Sequence, residues 1–209
     1  MNTLEEINEL KKDLTACWKA QLETVILWHE KIPEIMEQPG LTGLGLDQHL
    51  CNFRLWHVED RARIKGVDGE VIAQCKREID ALNQQRNDLI ERIDQEIITR
   101  VARFLPPDGA QRYNTETLGS VLDRLSILSL KLFHMREQTR RTDVDEDHRS
   151  ACRGKVVTLE EQHRDLSTSA LELVDEYARG VKRPKVYFQF KMYNDPTLNP
   201  ELYTQNKGK

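Results

Sequence analysis

Cysteine is sparse and scattered. Cys17, Cys51, Cys75 and Cys152 are the only four in 209 residues, and no two form a C-x-x-C pair. That excludes a disulfide framework or a cysteine-based zinc site and reads as reduced thiols in a cytosol. Long apolar runs are missing too: none approaches the roughly 18 residues of a membrane span, and the opening MNTLEEINELKKD is not a signal peptide. An excess of positive charge is also lacking. Lys and Arg total 31 against 35 Asp and Glu, a net charge of −4, and no basic stripe carries interleaved aromatics. Nucleic-acid binding is therefore disfavoured. What is present is 32% charged and 38% hydrophobic residues. That balance suits long solvated helices rather than a large sheet, in one domain with a sizeable core.

Apolar periodicity predicts five helices, four of them long, in an antiparallel all-α bundle. The first begins after Thr3 as N-cap, with Glu6 completing a capping box. Its apolar side is Ile7, Leu10, Leu14, Trp18, Val25, Trp28 and Ile32, with His29 close by. Pro33 weakens it and Pro39-Gly40 ends it. Gln38 to Gly45, QPGLTGLG, reads as a connector. Glycines before a helix can cradle a phosphate, but the P-loop lysine and spacing are absent. The second helix spans Leu46 to Ile64. One face carries Leu46, Leu50, Phe53, His57, Asp60 and Ile64, with His49 and Trp56 at its edge. Glu59 points away and pairs with Arg63.

The third helix, Gly69 to Arg103, has the stripe Ile72, Cys75, Ile79, Leu82, Leu89, Ile93 and Ile97. Arg86 stands near its middle, where an aliphatic residue is expected, flanked by Asn83, Asn87 and Asp94. The fourth, Thr115 to Arg140, carries Leu118, Val121, Leu122, Leu125, Leu128 and Leu132. Ile127 and Leu130 are apolar on another side, and His134 reads as a surface histidine. The fifth runs from Glu146 to Val181 with His163 in a core slot. Glu160-x-x-His163 matches half of a di-iron site, but no second Glu-x-x-His exists. Thr142 to Asp147 resembles the start of a calcium loop without its sixth-position glycine or twelfth-position glutamate; acids at a helix N-terminus are the simpler reading. After Gly180 the period becomes two: KVYFQFKMY alternates from Lys185 to Tyr193. Residues 1–183 are thus expected to form the bundle, and 184–209 an extended arm packed on it or on a partner chain.

A buried guanidinium without a partner is too costly to keep, so Arg86 must meet an acid, carbonyls or a ligand. The candidate polar site, between the first three helices, is His29, His57, Asp60, Asn83, Arg86 and Asn87. Within it His29, His57 and Asp60 are the residues able to ligate a divalent cation. Folding the second helix pair about Gly66 sets Asp60 and Arg86 roughly 20 Å apart along the axes, so two polar clusters are expected rather than one. No cofactor is named by any motif.

Three segments in order, LCNFRLWHVEDRAR, IDALNQQRNDLIERID and FQFKMYNDPTLNPELY, resemble the bacterial domain-of-unknown-function family 4254. Its motif positions correspond to Trp56, His57, Glu59, Asp60, Asn83, Arg86, Asn87 and Asp88. The resemblance implies a mainly helical cytoplasmic protein of Gram-negative bacteria, associated with gene neighbourhoods for envelope polysaccharide synthesis, and brings no activity with it. CKREIDALNQQRNDLIERI is also similar to the first helix of helical chorismate mutases, though Arg86 is its only inward basic residue. Glu91-x-x-Asp94 is similar to half of the magnesium motif of all-helical nucleotide pyrophosphatases, whose Glu-x-x-Glu partner is missing here. Two functional classes follow: a non-catalytic accessory or interaction protein with a protein partner or a second copy of itself, and a small-molecule or metal-dependent enzyme using the polar site.

Overall fold

The computed structural model describes residues 2–31, 33, 39–187 and 195–201. They form five helices: α1 (Thr3–Glu30), α2 (Gly40–Ala62), α3 (Gly69–Val101), α4 (Leu118–Arg140) and α5 (Glu146–Ala178). The all-α bundle is as the apolar periodicity predicts. Among the described residues α2 packs on α1, α3 and α4, α4 packs on all the others, and α2 and α5 do not touch. The main core joins Leu10, Leu14 and Trp18 to Ile93, Ile97, Leu122, Leu125 and Val174. Each such side chain contributes about 1.5–3 kcal/mol by leaving water.

Local chemistry accounts for the ends. The capping box of α1 uses Asn2 and Glu5 rather than Thr3 and Glu6. The helix stops at Glu30, well before the Pro39-Gly40 stop; Ile32, placed on its apolar side from sequence, lies outside the described residues. Asp68 caps α3, Thr117 caps α4 and Asp145 caps α5, each through its side-chain oxygen. Gly66 makes the α2–α3 turn at φ 78°, a left-handed conformation that other residues rarely adopt. Asp143 and Asp145 at the α4–α5 turn are spent on Arg141 and on the His148 N–H.

The QPGLTGLG reading needs correction: from Gly40 onward the chain is already helix. Gly43 and Gly45 are buried, and a Cβ on Gly45 would stand 3.3 Å from Cys17 Sγ. Gly45 lets α2 approach α1 closely; it is a packing residue rather than part of an anion cradle. Helix α2 is also covered on more sides than one apolar face suggests, since Gln48, His49 and Asn52 are as buried as Leu46 and Leu50. At its far end Asp60 and Ile64, expected to face inward, are exposed.

After α5 the chain loses helical form. Ala110 N–H donates to Gly180 O and Arg183 N–H to Arg112 O, both at 2.8 Å, tying the segment before α4 to the segment that follows α5. Lys185 and Tyr187 are exposed while Val186 is half-buried, and no strand occurs among the described residues. Most of the alternating stretch, residues 188–193, lies outside them.

Candidate functional site

Asp123 is the centre of the polar interior. It sits in α4 beside Leu122, and its side chain is 7% exposed. Its partners come from two other helices. Arg86 of α3 donates from Nε to Oδ1 at 2.7 Å and from Nη2 to Oδ2, a two-point fork. From α2, Asn52 Nδ2 donates to Oδ1 at 3.0 Å, and Gln48 Nε2 donates to the same oxygen. Asn52 also donates to Ser126 Oγ at 2.9 Å, and Ser126 Oγ shares a 2.7 Å bond with His49 Nδ1. The acid paired to the Arg86 guanidinium raises its pKa above the ordinary arginine value despite burial. Burial drives His49 down to about 3, against a smaller opposing pull from the backbone of Gln21, so that ring is neutral.

A cleft of about 470 Å³ opens above this network. Leu55, Trp56, Ile127 and Leu130 supply its apolar lining, and Asn52, Glu59, Asp60, Arg63, Asn83 and Arg86 its polar groups. Glu59 and Arg63 form the ion pair read from sequence, at 2.9 Å. Helices α2, α3 and α4 build the cleft, and α1 contributes none of its walls. Arg86 keeps its Nη1 free of protein acceptors among the described residues, and its side chain is 25% exposed.

The histidines form a separate cluster. The ring centroids of His29 and His57 are 5.1 Å apart, those of His29 and His134 4.9 Å, and those of His57 and His134 6.1 Å. His29 stacks on Phe133 at 3.9 Å and His134 on Trp56 at 4.7 Å. His29 donates from Nδ1 to Val25 O at 2.6 Å, and His134 Nδ1 meets Glu137 at 2.8 Å. That leaves both Nε2 atoms buried without a described partner. Burial lowers the pKa of His29, and the neighbouring His134 adds to this. Burial, then His29 and His134, lower that of His57 and outweigh Asp60 and Glu137. His134 is therefore part of an aromatic cluster, correcting its reading as a surface residue.

The six candidate residues thus divide. Asp60, Asn83 and Arg86 line the cleft. His29 and His57 lie in the ring cluster, and half-buried Asn87 lines neither. Asp60 makes no hydrogen bond with His57, and no group of three or more His, Cys, Asp or Glu among the described residues is arranged to hold a metal ion. The separation of Asp60 from Arg86 expected from the hairpin is corrected: both line the one cleft, and the second cluster is the set of histidine rings that α1 and α4 bring to α2. Asp94, half of the pyrophosphatase-like pair, is spent on the Gly119 N–H at 2.7 Å. His163 is buried with its Nε2 unpartnered, and Glu160 pairs with Arg136 instead. Asp123, Gln48, Asn52 and Ser126 were not anticipated. The available signal was that Asp123, Ile127 and Leu130 recur at helical spacing on the second apolar side of α4.

Fold and site together define a class: an all-α bundle with a hydrogen-bonded polar interior, in which Gln48 Oε1 and His49 Nε2 have no described partner, beneath a solvent-open polar cleft. No helix among the described residues is long and apolar enough to cross a membrane. Within that class the chain belongs to the DUF4254 family, whose members are described as proteins of unknown function and whose profile matches residues 44–186. The match takes in every residue of the Asp123 network and the cleft, and leaves out α1 with His29. No curated protein and no solved structure matches the chain.

Proposed function

We propose that this chain is a non-catalytic accessory protein of the cytoplasm that works by binding a small polar molecule in the cleft between α2, α3 and α4. One observation carries the reading: Arg86 is locked in a fork by Asp123, while its Nη1, without a partner among the described residues, shares a 470 Å³ opening with Asn52, Asn83, Glu59 and Asp60. Hydrogen-bonding groups that converge on one open cleft from a rigid interior suit a ligand whose orientation must be fixed. Besides Arg86, the titratable side chains of the cleft are Glu59, Asp60 and Arg63, with no nucleophile–base pair, which favours binding over turnover. The envelope-polysaccharide setting implied by the family resemblance is the context of this reading.

The test is a thermal-shift screen of small polar metabolites on the wild type, Asn83→Ala and Asp60→Ala. A ligand at a hundredfold excess over its Kd adds about 2.7 kcal/mol, or several degrees of Tm. The expected result is a saturable rise that shrinks in both variants while their ligand-free Tm holds. No shift in the wild type, or an equal shift in all three proteins, contradicts the reading. A small-molecule enzyme is the second reading, favoured by the presence of Glu59 and Asp60 beside Arg86. Turnover of a binding hit that disappears in Asp60→Asn decides for it.

A further inference from the structure

On the other side of Trp56 lies a second depression of different chemistry. It runs between the C-terminal half of α4 and the N-terminal half of α5, has a volume of about 620 Å³ and is predominantly apolar. Met135 and Leu159 are among its walls, and Gly154 leaves a gap: a Cβ built there meets nothing within 4 Å. A largely apolar hollow of this size with a few polar groups is the usual form of a small-molecule site.

Its charges are of one sign. Lys131 and Lys155 line it, and no acid does. They are equidistant in sequence from Asp143 at the middle of the α4–α5 turn, so the antiparallel hairpin sets them level across the groove. Neither makes an ion pair or hydrogen bond with a described residue, whereas most other cations on these two helices do, among them Arg124, Arg136, Arg149 and Arg153. Two unmatched ammonium groups above an apolar floor repel each other until an anion sits between them. The polar cleft offers the opposite arrangement, since each of its guanidinium groups already has a carboxylate.

We propose that the α4–α5 groove is a second binding site, for a small free molecule with an apolar body and one carboxylate. The body lies along Trp56, Met135 and Leu159, and the carboxylate is held between Lys131 and Lys155. This site shares Trp56 with the polar cleft but does not depend on the function proposed for that cleft.

Isothermal titration with decanoate, below its micellar concentration, tests the site on the whole chain. Decanol and decyltrimethylammonium serve as neutral and cationic controls. The expected result is saturable one-to-one binding of decanoate and about tenfold weaker binding of both controls. The paired substitution Lys131→Gln with Lys155→Gln, at exposed positions, should weaken decanoate about tenfold and leave decanol unchanged. Gly154→Leu fills the groove and replaces a helical glycine by a better helix former, so it should abolish binding with Tm equal or higher. Equal binding of all three decyl compounds, no decanoate binding, or binding that survives Gly154→Leu overturns the proposal. So does attachment to vesicles of dioleoylphosphatidylglycerol without affinity for decanoate, which assigns the groove to a lipid surface instead.

Discussion

The Asp123 network and the histidine cluster lie on neighbouring parts of α2 and α4, yet they solve the burial of polar groups in opposite ways. Around Asp123 a buried side-chain carboxylate is met by donors from two other helices. Around His29, His57 and His134 the rings are packed face and edge, and burial holds His29 and His57 neutral. The first arrangement fixes geometry, because its donors converge on one carboxylate. The second tolerates adjustment, because rings packed face and edge lack such aim. A binding site gains from the first kind of support, which is why the cleft above Arg86, rather than the ring cluster, carries the functional reading.

Breaking the charged network should have the largest effect. Asp123→Ala leaves Arg86 without its counter-ion and Gln48 and Asn52 without their shared acceptor, at a cost on the order of 4 kcal/mol in urea unfolding. Arg86→Ala leaves Asp123 buried and short of its main partner, costing about 3 kcal/mol. Arg86→Leu combined with Asp123→Leu should cost less than the sum of the single changes, since both charges leave together. Additive losses would show that the fork contributes no coupling.

The histidines should respond to acid instead. Burial lowers the folded-state pKa of His29, His57 and His163, and sets that of His49 at about 3. Below the ordinary histidine pKa of about 6.5 the unfolded chain binds protons that the folded chain refuses, so stability rises with pH in that range. The contribution is complete above about pH 6.5 and is lost as pH falls toward the folded values. Tm should therefore drop between about pH 7 and pH 5, and His57→Phe should flatten that slope. An unchanged slope in both His29→Phe and His57→Phe would remove the cluster as its source. The smallest effect belongs to Glu137→Gln. Its contact with His134 is half-exposed on the acid's side, so a loss within about 0.5 kcal/mol is expected.

Much of the bundle was legible in the sequence because apolar spacing is a local signal, whereas the cap read at Thr3 falls one residue earlier, at Asn2. Of the α3 stripe, Cys75, Leu82, Leu89, Ile93 and Ile97 are buried as its period predicts, Ile79 is partly buried, and Ile72 in the first turn is exposed. Arg86 was legible as well: a cation in an apolar stripe must find a partner. The partner's identity was not, since Asp123 lies 37 positions away and only the packing of α3 on α4 brings the two together. Asp60 was misjudged because a single-face reading of α2 assumes one covered side, whereas three helices cover its middle and none covers its last turn in the same way. The glycines of QPGLTGLG misled for a related reason. A glycine marks a turn or a close approach, and the sequence alone does not distinguish them.

The central claim is that the cleft above the Arg86–Asp123 fork is where a ligand binds. Nitrogen-15 NMR of the whole chain tests it directly, because the Arg86 Nε–H and the Asn83 side-chain amide are separate reporters from the histidine rings. Titration with the compounds that raise Tm should shift the Arg86 and Asn83 signals saturably and leave the rings of His29 and His57 in place. Shifts confined to the histidine rings, with Arg86 and Asn83 silent, would contradict the account.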